Sequence, residues 1–300
     1  MKKIKNLGYD IILKKEKYLT FSEDIKDVDV LVCYNPFDTL DISKLGKLKW
    51  IQLSSVGIDQ VPMEHLIKNN ITLTNNKGGY SIPMGEWVVM KTLELFKNSR
   101  EMYINQLNKK WHMDTSLLEL YGKTIGFIGT GTIASESAKR LQGFDVNTLG
   151  VNTTGRDVEY FGKCYSLDNI NEVIPKCDVV VLTIPYTQST HHMVDKKFLK
   201  LMKKEAYLIN VSRGSIIKEK DIITALKNND IKGAALDVFE NEPLDENNPL
   251  WDFENVIITC HNSWISEMRN ERRYDTIYEN MKRFLNNDKL KNVINLEKGY

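Results

Sequence analysis

The stretch from Lys123 to Gly143 constrains this chain more than any other. "KTIGFIGT" (Lys123 to Thr130) is a continuous apolar run of strand length. "GTGTIA" (Gly129 to Ala134) closes it, and helical spacing runs from Thr132 to Gly143. A strand that turns through spaced glycines straight into a helix gathers free N–H groups and the positive end of a helix dipole at one point. The pattern G-x-G-x-x-G/A in that setting suits a dinucleotide diphosphate. Gly129 allows the tight turn, Gly131 lets the backbone approach the phosphates, and Ala134 permits close helix–strand packing. Alone the motif would also fit a glycine-rich turn of another α/β protein. The strand–helix context on both sides decides for a nucleotide site.

That context is extensive. "VNTLGV" (Val146 to Val151), "DVVVLTIP" (Asp178 to Pro185), "AYLINV" (Ala206 to Val211), "KGAALDV" and "NVIITC" read as strands, with helical patterns at Asp195 to Lys203 and Lys218 to Asn228. Continuous rather than alternating apolar runs are expected where both sheet faces are covered, so the middle of the chain predicts a parallel, doubly wound sheet. The first third carries three more strands, "VDVLVCY" (Val28 to Tyr34), "WIQLSS" (Trp50 to Ser55) and "ITLTN" (Ile71 to Asn75), with a helix starting near Pro62. Pro83 to Asn98 and Ile265 to Asn287 have helical spacing.

Length and composition exclude several classes. A chain of 300 residues tends to split into two domains. With a net charge of +1 there is no electrostatic case for nucleic acid or an anionic membrane. The Lys-rich start (Met1 to Lys5) is followed at once by acidic residues and reads as a mixed, solvated surface. No apolar run reaches the roughly 18 residues of a membrane span, and no signal-peptide core opens the chain. Cys33, Cys164, Cys177 and Cys260 have no metal or disulfide spacing, which fits a reducing cytoplasm and no metal site.

The strand after the glycine loop ends at Asn152, where a ribose-binding carboxylate is usual. "NTTGR" follows. Asn152, Thr153, Thr154 and Arg156 would accept a 2′-phosphate that a carboxylate would repel, so NADP is expected over NAD, with NAD the second choice.

Three charged groups fall at the ends of three successive strands: Arg213 in "INVSRGSII", Glu242 in "LDVFENEPL" and His261 in "IITCHNSW". Charged groups converging at the carboxyl edge of a parallel sheet indicate a site. Hydride addition to a 2-oxo acid leaves an alkoxide that an imidazolium can protonate, and a neighbouring carboxylate favours the charged ring. Arg213 suits the substrate carboxylate, whose planar geometry its fork matches. The other histidines are weaker candidates. His65 and His112 sit in polar patterns read as helical, and the adjacent His191 and His192 are expected to diverge; all four read as structural or solvated.

Taken together, "GTGTIA", "DVVVLTIPYTQST", "LINVSRG", "ALDVFENEP", the His261 strand end, "LSSVGID" and "NKGGYSIPMGEW" resemble the D-isomer-specific 2-hydroxyacid dehydrogenase family over nearly the whole chain. The resemblance implies a Rossmann cofactor domain (97–265) inserted in a smaller flavodoxin-like α/β substrate domain (1–96 and 266–300), and a homodimer. Arg213 would bind substrate, His261 would be the acid/base and Glu242 its partner. The Val56 and Gly57 backbone would hold the substrate carboxylate, and Asp237 the nicotinamide carboxamide. Thr132, Ile133 and Asn152 would line the cofactor, and Pro185, Val211 and Ser212 are counted with them. Three departures stand out: Cys260 replaces the proline common before the histidine, Trp264 follows it closely, and the acidic ribose ligand is missing. Trp264 is expected to wall the substrate pocket. Alternatives on the same fold are a dinucleotide-sensing corepressor-like protein, a short phosphoglycerate dehydrogenase, or a member acting on formate or phosphite. The chain ends soon after its last helix, which speaks against an added regulatory domain.

Overall fold

The computed structural model describes residues 2–299; Met1, at the head of the Lys-rich start, and Tyr300 lie outside it. The chain forms two compact units, one made of the chain up to Tyr80 and from Ser266 onward, the other of Ser81–Ile265.

The first unit contains α1 (Lys2–Lys5), β1 (Val30–Cys33), β2 (Trp50–Leu53), α2 (Met63–Lys68), β3 (Thr72–Thr74) and, at the chain's end, α9 (Arg269–Leu285). Its strands pair in parallel in the order β1-β2-β3. The parallel α/β character is as expected, with three strands where the flavodoxin order has five. Both faces of β2 are buried, which is why "WIQL" is apolar at every position but Gln52. The helix α9 covers the sheet with Met281 and with Phe284, whose ring lies 5.1 Å from that of Trp50. Two hydrogen bonds join buried polar side chains across this core: Trp50 Nε1 donates to Thr74 Oγ1 (2.8 Å), and Asn280 Nδ2 donates to Gln52 Oε1 (2.8 Å).

The second unit contains α3 (Ser81–Phe96), α4 (Ser99–Leu107), β4 (Thr124–Ile128), α5 (Thr132–Leu141), β5 (Asn147–Asn152), β6 (Lys163–Ser166), α6 (Ile170–Val173), β7 (Val179–Leu182), α7 (Lys196–Leu201), β8 (Tyr207–Asn210), α8 (Glu219–Lys227), β9 (Gly233–Leu236) and β10 (Val256–Ile258). Seven parallel strands run in the order β10-β9-β8-β7-β4-β5-β6. The chain works outward from β4 to β6, then returns to the other side of β4 with β7. The gap between the ends of β4 and β7 is therefore the switch point where doubly wound sheets bind ligands. Residues of β7, β8 and β9 are buried on both faces, as their unbroken apolar runs require.

Three features differ from the reading of the sequence. The helix α3 belongs to the second unit, so the units divide after Tyr80 and not after Phe96. The helix packs closely on α5: a Cβ at Gly85 would sit 3.0 Å from the Glu136 backbone. The helix α4 has no apolar period to read because it buries none of its residues. The edge strand β6, "KCYS", pairs only with β5 and is too mixed in polarity to stand out.

Candidate active site

The glycine loop turns through Gly129 at φ +100°. A Cβ there would lie 2.8 Å from the Thr183 carbonyl oxygen, and Thr183 Oγ1 donates to the Gly129 carbonyl (2.8 Å). Only glycine fits between the ends of β4 and β7. Gly131 then caps α5 without a side-chain hydrogen bond, and the space where its Cβ would point is open to 4 Å. The first N–H groups of a ten-residue helix thus face an unobstructed approach. Thr132 and Ile133 form the first turn of α5, Thr132 accepting from Ser81 Oγ (2.7 Å), and Ala134 is fully buried. These groups fit a dinucleotide diphosphate.

Other expected cofactor residues surround this edge. Asn152 proves to be a shaper of its loop: Nδ2 donates to Thr130 Oγ1 (3.2 Å) and to the Arg156 carbonyl (2.9 Å), and Oδ1 accepts from Thr154 N (3.2 Å). Thr153, Thr154 and Arg156 are left exposed on that loop. Pro185 is exposed past β7, its carbonyl accepting from Thr190 Oγ1 (2.9 Å). Val211 and Ser212 are buried past β8, with Ser212 Oγ donating to the Leu182 carbonyl (2.8 Å).

The charged residues meet as follows. His261 Nδ1 lies 2.7 Å from Glu242 Oε2. Glu242 Oε1 accepts the Phe239 N–H (3.0 Å). Partial burial opposes ionisation of Glu242, but the hydrogen bonds from His261 and Phe239 and the charges of His261 and Arg213 outweigh it, so its carboxyl sits below the usual range. Arg213 follows β8, and its guanidinium donates to the Ser212 carbonyl (2.8 Å).

Asp237 is fully buried at the end of β9. Its carboxylate accepts from Thr259 Oγ1 (2.6 Å), Asn262 N (3.0 Å) and Ser263 N (3.0 Å), and its carbonyl accepts from His261 N (2.8 Å). Those bonds anchor the loop after β10 and hold His261 at φ +50°, a left-handed conformation that costs on the order of 1 kcal/mol or more for a non-glycine residue. Trp264 adds to the same loop, its Nε1 donating to the His261 carbonyl (2.9 Å). Asp237 and Trp264 thus carry structural bonds that their expected ligand-facing roles did not include. Cys260 is exposed, whereas Cys33, Cys164 and Cys177 are buried, and all four thiols are free.

Val56 and Gly57 lie in the first unit, in the loop after β2, where their carbonyls accept from Asn75 Nδ2 (2.7 Å) and Ser55 Oγ (2.8 Å). His65 sits on α2, but His112 is in a loop rather than a helix. His191 and His192 do not diverge: their rings stack with centroids 3.8 Å apart, because His192 takes φ +52°. No cluster of potential metal ligands occurs among the described residues.

A glycine turn suited to a diphosphate lies at the switch point of a doubly wound sheet, with a carboxylate-paired histidine and an arginine at neighbouring strand ends, the arrangement of a dinucleotide-binding α/β protein. The family model for the "D-isomer specific 2-hydroxyacid dehydrogenase, NAD binding domain" matches residues 89–263, and the chain belongs to that family. It is similar to D-3-phosphoglycerate dehydrogenase of Methanocaldococcus jannaschii, with 34% identity over 95% of this chain and 54% of the relative. It thus spans about half the length of that relative. It is also similar to glyoxylate reductase of Thermofilum pendens, at 35% identity over 79% of this chain and 73% of the relative. A solved structure described as a "probable 2-hydroxyacid dehydrogenase" of Rhizobium etli CFN 42, in complex with NADP, HEPES and L(+)-tartaric acid, superposes with a TM-score of 0.83 at 25% identity, covering 93% of this chain and 88% of that one.

Proposed function

We propose that this protein reduces a small 2-oxo acid to the D-2-hydroxy acid with NADPH, NADH being the second choice. The observation that carries the reading is the 2.7 Å pair of His261 and Glu242, with the Arg213 charge acting on the same carboxylate. The second unit takes the dinucleotide at its glycine loop. When bound, the reduced nicotinamide supplies a hydride to the carbonyl carbon. The Arg213 guanidinium holds the substrate carboxylate and polarises the carbonyl. With Nδ1 turned to Glu242, Nε2 of His261 is the nitrogen that gives its proton to the developing alkoxide. Glu242 stabilises the imidazolium and fixes the ring. Thr153, Thr154 and Arg156, exposed and without a neighbouring ribose carboxylate, support the preference for a 2′-phosphate.

A homodimer is supported by α4 and the segment after it, where Leu107, Trp111 and Met113 are 82%, 101% and 80% exposed. No helix among the described residues is long and apolar enough to cross a membrane. We assign the protein to the cytoplasm, in line with its four free thiols, and give it no nucleic-acid partner, in line with its net charge of +1.

The test is a spectrophotometric panel of 2-oxo acids, including glyoxylate, hydroxypyruvate and phosphohydroxypyruvate, with NADPH and with NADH. Turnover of at least one acid is expected. Tight dinucleotide binding with no turnover across the panel would sink the reading and favour a corepressor-like sensor.

A further inference from the structure

The segment Phe239–Glu242 carries two carboxylates, each paired with a histidine. Glu242 holds His261. Two residues earlier, Glu240 Oε1 lies 2.7 Å from His192 Nε2 and also accepts the N–H of Glu219, the first residue of α8, at 3.0 Å. The reaction described above does not use this outer pair.

The surroundings of Glu240 show what it joins. His192 N donates to the Ser215 carbonyl (2.8 Å), and Val194 N donates to that of Ile216 (3.0 Å), so the loop after β7 is stitched to the loop after β8. That second loop begins at Arg213. Its next residue, Gly214, packs so closely that a Cβ would fall 1.8 Å from the Phe239 carbonyl carbon and 2.4 Å from Glu240 N. The loop bearing Arg213 and the loop bearing Glu242 therefore touch backbone to backbone at Glu240. Its carboxylate bonds both to α8, which follows the Arg213 loop, and to His192.

Other charged groups nearby are engaged elsewhere. Lys218 is 3.7 Å from Asp221, and Glu219 Oε1 accepts from Asn248 Nδ2 (2.7 Å). The remaining ring facing His192 is His191, whose own Nδ1 lies 3.4 Å from the Tyr186 hydroxyl. His192 is only partly buried and its ring partner His191 is exposed, so packing alone does not account for a histidine held at positive φ with Nε2 aimed at a carboxylate.

We propose that His192 is a positioning residue: by donating to Glu240 it clamps the Phe239–Glu242 segment against the Arg213 loop, and so sets Glu242 behind His261. The assignment rests on the catalytic reading of Glu242 and His261. The clamp is made by Nε2 and not by the ring's bulk, and two substitutions separate these. His192→Phe keeps a ring that can stack on His191 but removes the donor. His192→Gln removes the ring but keeps an Nε2 donor at similar reach.

The experiment measures kcat, KM and NADPH Kd for both variants, alone and combined with Glu242→Gln, using the 2-oxo acid that the wild type turns over fastest. His192→Phe is expected to lower kcat about tenfold while NADPH Kd changes less than about twofold, and His192→Gln to recover most of the loss. In the Glu242→Gln background His192→Phe is expected to add nothing, because the clamp acts through Glu242. Should His192→Phe not fold, His192→Ala takes its place with the same expectation. Equal impairment of the Phe and Gln variants, or full additivity with Glu242→Gln, overturns the proposal. If Glu242→Gln alone leaves kcat unchanged, the catalytic reading itself fails. If Glu242→Gln is impaired and His192→Phe is not, only the clamp fails.

Discussion

His261 Nδ1 and Glu242 Oε2 are 2.7 Å apart, and the histidine that makes this contact sits in a left-handed backbone conformation pinned from three sides. Asp237 bonds the flanking N–H groups and the Thr259 hydroxyl, the Asp237 carbonyl takes the His261 N–H, and Trp264 bonds the His261 carbonyl. A side chain placed by so many bonds is preorganised, which is how positioned groups lower a barrier without reorganisation during the reaction.

His261→Ala removes the proton donor but leaves the glycine loop of β4 and α5 untouched. We expect kcat to fall by about 10²- to 10⁴-fold, the usual worth of positioned acid–base catalysis, with NADPH affinity retained. Steady-state kinetics and equilibrium fluorescence titration with NADPH check the two halves. Near-wild-type kcat would remove His261 from the mechanism.

The depressed pKa of Glu242 makes a prediction with a definite sign. A carboxyl whose folded pKa lies below its unfolded value adds stability above the unfolded value, and that stability is lost as pH falls through the folded one. The unfolded reference is 4.5, and the folded value lies beneath it. The difference in unfolding free energy between wild type and Glu242→Gln should therefore be constant from neutrality down to that reference and shrink below it. Urea unfolding from about pH 7 to about pH 3 tests this. A difference that instead grows on acidification would mean that the carboxylate is not held in its ionised form by His261, Phe239 and Arg213.

Trp264→Phe keeps an aromatic side chain and deletes one hydrogen bond, that from Nε1 to the His261 carbonyl. A typical net hydrogen bond is worth about 1 kcal/mol. If that energy holds His261 in place, kcat should fall about fivefold with KM little changed. If Trp264 acts instead as a wall of the substrate pocket, KM and substrate preference will move and kcat at saturation will not. The split between the two parameters decides which role the indole has.

What could be read from the sequence was whatever the backbone demands locally. Gly129 is explained by a positive φ and a carbonyl oxygen 2.8 Å from where a Cβ would stand, and the buried runs of β7, β8 and β9 by coverage of both faces. Arg213, Glu242 and His261 were legible because strand ends of a parallel sheet share an edge. The hidden part depends on contacts that no periodicity encodes. The partners of Asp237 are N–H groups some two dozen residues further on, supplied by the loop after β10. The stacking of His191 on His192 depends on one residue taking positive φ, which sends a neighbouring side chain back over the first. The helix α4 lacks an apolar stripe altogether, and α3 joins the second unit, packed closely on α5 at Gly85.

Arg156 tests the cofactor preference. It stands exposed on the loop that Asn152 shapes through bonds to Thr130, Thr154 and the Arg156 carbonyl. Because the Arg156 main chain and not its guanidinium makes that bond, Arg156→Ala should leave the loop intact and remove only charge. A guanidinium paired with a 2′-phosphate is expected to contribute roughly 1–2 kcal/mol at a solvent-exposed site, about a fivefold to thirtyfold change in affinity. The KM for NADPH should rise by that factor while that for NADH stays within about twofold, and raising ionic strength should weaken NADPH binding to the wild type more than to the variant. Equal changes for both cofactors would show that Arg156 does not read the 2′-phosphate, and a wild-type preference for NADH would reverse the assignment altogether.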